Sequence, residues 1–159
     1  MRTPASIARH PVHPILIVFP LGLFLTATLF DIVTLVEGGT ALRLTAYYMI
    51  VAGVIGGLVA AVPGFIDYFY LRGAAGRTAT WHMVTNLVVM AFFIASALLR
   101  TRWGQQWIPA GSTLPAALSI VGSILLIIGG WLGGKLVYVF GVGVDRADTR
   151  RDENWRRAA

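Results

Sequence analysis

The chain has 159 residues, 57% of them hydrophobic and only 13% charged, with a formal net charge of +6 and no cysteine. Soluble domains run about 45–50% apolar and about 25% charged, and a mean hydropathy of +0.73 lies well outside that balance. A disordered chain, an ordinary cytosolic enzyme and a disulfide scaffold are all excluded.

The apolar residues collect into four spans. Residues 15–36 are apolar except for Asp31 and a few threonines. Residues 41–70 are apolar except for Arg43 and Asp67. Residues 80–99 carry His82, Asn86 and small hydroxyls, and residues 114–140 carry Lys135 and two serines. A helix needs about 20 apolar residues to cross about 30 Å of hydrocarbon, so all four are long enough. The runs are continuous, not alternating, which excludes barrel strands. The second is longer than a crossing requires and predicts tilt, a kink at Pro63 or an interfacial end. The first follows Arg2 and Arg9 as a signal peptide would. Its length, Pro20 and the lack of a small-residue cleavage site favour a retained helix.

Glu37-Gly38-Gly39-Thr40 reads as a turn, and Arg72-Gly73-Ala74-Ala75-Gly76-Arg77 as a glycine-marked loop. The longest connection, Arg100 to Pro115, carries Trp103 and Trp107 where an interfacial aromatic belt would sit. The four spans make one domain, residues 1–144, and residues 145–159 a charged cytoplasmic tail. No internal repeat is visible. The fold class is all-α: a four-helix transmembrane bundle with both termini cytoplasmic. The orientation rests on arginines. Nine (Arg2, Arg9, Arg72, Arg77, Arg146, Arg150, Arg151, Arg156 and Arg157) flank one side, against Arg43, Arg100 and Arg102 on the other. The +6 is then an address, and nucleic-acid binding is excluded because no folded basic module presents those charges.

Ionisable groups inside spans are costly and mark functional candidates. His10, His13, Asp67, His82 and Lys135 all fall toward the cytoplasmic face, and only Asp31 lies toward the other. His82, Thr85, Asn86, Val89, Phe93 and Ser96 share one face of the third helix. Asp67 shares its face with Pro63, Gly64, Ala60, Gly57 and Gly53, a small-residue stripe that admits close helix approach. Gly129, Gly130, Gly133 and Gly134 form a similar stripe on the fourth.

Two chemistries use the histidines. His13 and His82 sit at one depth and could hold haem b axially, with glycine stripes clearing room for the ring and Arg72 or Arg77 meeting its propionates. Alternatively His10, His13, His82 and Asp67 could bind a divalent metal, since imidazole and carboxylate suit zinc or iron. Bland readings stand beside these. A histidine at a helix start also reads as an interfacial cap. Asp67 also reads as a lock to Arg72 or Lys135, Lys135 as a snorkelling side chain, and Asp31 as an interfacial residue balanced by Arg43. No catalytic constellation is present: the carboxylates are few and dispersed.

His10-Pro11-Val12-His13-Pro14-Ile15-Leu16 and Phe19-Pro20-Leu21-Gly22-Leu23, with Asp31, His82, Gly133-Gly134-Lys135-Leu136-Val137-Tyr138 and Gly141-Val142-Gly143-Val144, resemble the small bacterial membrane proteins grouped as domain of unknown function 2231. The resemblance covers residues 10–144. It implies a four-helix inner-membrane protein of unestablished function, in a family whose members can be joined to Rieske-type iron–sulfur domains. This chain has no cysteine for such a cluster. The plan is also similar to that of small membrane b-type cytochromes, an analogy at the level of fold.

Three functions remain open. The leading specific one is a haem-b or metal-binding redox protein that exchanges electrons with a quinone or a partner protein. The second is a structural or partner-binding membrane subunit without cofactor. The third is a small-solute or proton pathway built on Asp31, Asp67, His82 and Lys135, which would need a homodimer.

Overall fold

The computed structural model describes residues 3–8, 10–102, 105–106 and 113–144. Four helices dominate: α1 Val12–Glu37, α2 Thr40–Tyr68, α3 Gly73–Leu99 and α4 Leu114–Tyr138. All four are long and apolar enough to cross a membrane. Pro14 stands in the first turn of α1, where its missing N–H costs no intrahelical bond. Pro20 and Pro63 lie inside unbroken helices. Trp103, Trp107 and the tail from residue 145 lie outside the described residues.

The third span corrects the sequence reading. Arg72 to Arg77 is not a loop, because α3 begins at Gly73. The connection from α2 is the tight turn after Tyr68, closed by Tyr70 N–H to the Asp67 carbonyl and Leu71 N–H to the Tyr68 carbonyl. Gly73 opens α3 at φ +61, a conformation that glycine adopts without cost. His82 therefore sits more than two turns inside α3 rather than at its start.

The bundle turns its large apolar side chains outward. Ile15, Val18, Phe19, Ile55, Leu58, Val62, Leu87 and Ile127 are exposed, which suits a surface facing lipid. The inside is small. The buried face of α2 is Ala46, Ile50, Gly53, Gly57, Ala60, Pro63 and Asp67, the small-residue face that its spacing predicted. Phe24 and Phe93 stack at the centre, ring centroids 4.0 Å apart and planes within 10°, among Ile50, Val89 and Leu126. Close approach of this kind lets dispersion and polar contacts, not hydrophobic exclusion, hold the helices.

Helix α1 packs mainly on α2, and α3 mainly on α4. The cross-contacts α1–α4 and α2–α3 are lesser and equal in extent. The two hairpins also repeat each other in register. Asp31 and Arg100 are 69 positions apart. The same step carries Phe24 onto Phe93, and Ala46, Ile50, Gly53, Gly57 and Ala60 onto the buried Pro115, Ser119, Gly122, Leu126 and Gly129. A repeat is thus present in the packing where the sequence reading found none.

The N-terminal segment, the α2–α3 turn and the chain after α4 gather at one end. Ser6–Ile7 pairs with His10–Pro11 as a short antiparallel ladder. Ala5 N–H donates to Asp67 Oδ1 at 2.9 Å. Beyond α4, Gly141 N–H bonds the Val137 carbonyl and Val142 N–H the Leu136 carbonyl, with Gly141 at φ +66, a glycine-terminated helix cap. Val142 and Phe140 then pack on Leu71, Ala79 and Leu136.

Candidate functional site

His13 projects from the first turn of α1 onto α2, and His82 from α3 onto α4. His13 Nδ1 lies 2.8 Å from the Ala60 carbonyl oxygen, and His82 Nδ1 lies 2.9 Å from that of Gly129. A carbonyl only accepts, so both Nδ1 atoms carry the proton. In the neutral form of either ring the lone pair is then on Nε2. The seats are built alike. A Cβ on Gly64 would fall 2.7 Å from His13 Nδ1, and one on Gly133 would fall 3.0 Å from His82 Cε1. Each imidazole thus lies on a glycine and bonds the carbonyl one turn earlier. The expectation that these glycines clear space for a flat cofactor is corrected: the histidine rings themselves fill it. Gly53 and Gly57 likewise seat Phe24 and Met90, whereas Gly130 faces nothing within 4 Å.

The two rings meet across the bundle, with centroids 6.2 Å apart and planes at 87°. Asn86, one turn beyond His82, donates to the His82 carbonyl at 2.8 Å and lays its amide nitrogen against the imidazole, 3.2 Å from both Nδ1 and Nε2. Of the remaining candidates, His10 is exposed and its Nδ1 turns back to the Ala8 carbonyl at 2.9 Å. Asp67 is spent on Ala5 N–H and makes no ion pair with Arg72 or Lys135 among the described residues. His10, His13, His82 and Asp67 are therefore not gathered, and no group of three or more metal-ligating side chains occurs among the described residues. Arg72 and Arg77 line an open cleft at the same end of the bundle with Tyr68, Leu71, Gly76 and Thr80. Arg72 also donates to the carbonyls of Phe69 and Leu71.

At the opposite end lies a second polar site that sequence reasoning assembled wrongly. Asp31 is 1% exposed, a buried residue and not an interfacial one. Arg100, 3% exposed, reaches it in a two-pronged bond, Nη1 to Oδ1 at 2.8 Å and Nη2 to Oδ2 at 2.6 Å. Ser96 bonds the Pro115 carbonyl at 2.8 Å and the Ser119 hydroxyl at 3.0 Å, and Thr28 meets Ser123 at 2.7 Å. A buried guanidinium matched to a carboxylate with its remaining protons on hydroxyls is the geometry that offsets desolvation. The available signal was Ser96, whose place on the polar face one turn before Arg100 points that arginine inward rather than into a loop.

The profile of a family described as a predicted membrane protein of domain of unknown function 2231 matches residues 9–146, nearly the whole chain and all four helices. The chain belongs to the DUF2231 family. No curated protein and no solved structure matches this DUF2231 chain. The matched region spans both ends of the bundle, so the histidine pair and the Asp31–Arg100 pair both lie within it.

Proposed function

We propose that the His13–His82 pair is the functional centre, and that these two side chains would hold a haem b in an inner-membrane electron-transfer protein with both termini cytoplasmic. The observation that carries this reading is the matched anchoring of the two rings. A ligating imidazole holds its other nitrogen in a hydrogen bond that fixes tautomer and orientation, and both histidines have that bond. The two anchored rings also lie close together, with centroids 6.2 Å apart. A bare divalent ion fits less well, because structural sites take four protein ligands and catalytic sites three, whereas a porphyrin brings its own nitrogens and needs only two. Haem would supply one-electron chemistry here. The chain's residues would hold the iron through His13 and His82, with Arg72 and Arg77 at the same end to meet carboxylates. Arg100 is neutralised by Asp31, which sharpens the cationic excess on the histidine side and supports the orientation.

A second reading is a cofactor-free structural or partner-binding subunit. It is favoured by Asn86, whose amide lies against the His82 ring, 3.2 Å from both ring nitrogens, and fills space beside it without any ligand. One experiment separates the two. The protein is purified in mild detergent without metal-affinity steps, and its visible spectrum is recorded before and after dithionite. A reduced Soret band with sharp α and β bands, lost in His13→Ala and in His82→Ala, is the expected result. A colourless protein that takes up no added haem sinks the haem reading and leaves the structural one.

A further inference from the structure

Three pairs along the bundle axis have one feature in common. His13 faces His82, Phe24 stacks on Phe93, and Asp31 bonds Arg100. In each pair the members are 69 positions apart, so each residue meets its own equivalent in the other hairpin. In a two-fold arrangement only residues beside the axis can do this. Off-axis contacts are repeated instead. The 47-residue step from His13 to Ala60 recurs from His82 to Gly129. Phe24 lies against Gly53 as Phe93 lies against Gly122. His, Phe and Gly are identical at these equivalent positions (His13 and His82, Phe24 and Phe93, Gly53 and Gly122, Gly64 and Gly133). The exception is the charge pair, where equivalents carry opposite signs.

We infer that the chain is a fused pair of equivalent helical hairpins, α1–α2 and α3–α4, each docking its inner face on a second copy of the same kind, and that Asp31–Arg100 is the element that lets unlike hairpins pair and rejects like ones. The inner face is an interaction surface, and its partner is another such hairpin. Two copies of the first hairpin would bury Asp31 against Asp31. Two copies of the second would bury Arg100 against Arg100. Either leaves like charges desolvated and unpaired, whereas the unlike pair satisfies both. Parallel repeats about an axis along the membrane normal are a known way to build membrane bundles, and here the link between repeats is only the short turn ahead of Gly73.

The test uses the full chain in Asp31→Arg, Arg100→Asp and doubly exchanged forms. Each single change is expected to lower the thermal midpoint in detergent by about 10 °C or more, as expected when a buried charge faces its like. The double exchange is expected to regain at least half of that loss. Recovery stays incomplete because the equivalents of Ser96 and Ser119 are Ala27 and Ile50, which offer the displaced guanidinium no hydroxyl. A doubly exchanged chain no more stable than the worse single variant overturns the inference. If the exchanged chain does not express, differently tagged Asp31→Arg and Arg100→Asp chains are made together. Exchange of hairpins between them restores both opposite-charge pairs. Co-purification beyond the wild-type level supports the inference, and its absence overturns it.

Discussion

Replacing Gly64 by alanine places one methyl group 2.7 Å from His13 Nδ1, 3.0 Å from Cε1 and 3.1 Å from Cγ. An ordinary contact needs about 3.5–4.0 Å between heavy atoms, so ring or helix must move by nearly an ångström. The ring cannot simply swing away, because the same Nδ1 is bonded to the Ala60 carbonyl at 2.8 Å. Overpacking of this kind costs about 1–3 kcal/mol, and loss of the bond adds about 0.5–1.5 kcal/mol. At 2–4 °C per kcal/mol for a chain of this size, the thermal midpoint in detergent should fall by roughly 3–18 °C. The control is Gly130→Ala, also in a helix, where the added carbon meets nothing within 4 Å. Alanine is the better helix former by about 0.5–1 kcal/mol, so that variant should match or exceed the parent. Equal midpoints for Gly64→Ala and Gly130→Ala would refute the seating argument.

Other expectations follow from contacts already described. Arg100→Ala leaves Asp31 buried and alone and should cost about 3–5 kcal/mol, read as a lowered midpoint. Asp67→Ala removes the acceptor of Ala5 N–H, so hydrogen exchange at residues 3–8 should quicken while α2 stays protected. Gly143→Ala forces alanine to φ +75 with Pro11 Cγ only 3.2 Å from the new carbon, costing at least about 1–2 kcal/mol. His10→Ala, at an exposed ring bonded only to its own turn, should change neither midpoint nor visible spectrum.

The four helices were legible because lipid selects for long apolar runs, and the inner face of α2 because small residues recur at helical spacing. The shared depth of His13 and His82 also survived. What escaped depended on distance along the chain. Arg100 looked like a loop cation because it follows the last apolar residue of its span, yet α3 carries it to the depth of Asp31. Arg72 to Arg77 looked like a loop because glycine and arginine suggest one, while the helix needs only Gly73 to turn. The repeat stayed hidden because its two copies agree at a few contact residues separated by lipid-facing positions that are free to differ. Its most telling pair, Asp31 and Arg100, agrees in place and differs in charge.

The stacked Phe24 and Phe93 divide the interior. Phe24 lies eleven residues along α1 from His13, about 16 Å, and Asp31 a further seven, about 10 Å. Between the histidines and the charge pair the axis is filled by the two rings and by Ile50, Val89 and Leu126, all buried, and the buried hydroxyls of Thr28 and Ser123 bond each other on the Asp31 side of the rings. The bundle is thus a dielectric plug with a histidine pair toward one mouth and a sealed charge pair toward the other. A change of charge at the histidines is not balanced by proton flow through the protein. Any proton that compensates it must come from the side on which His13 and His82 lie.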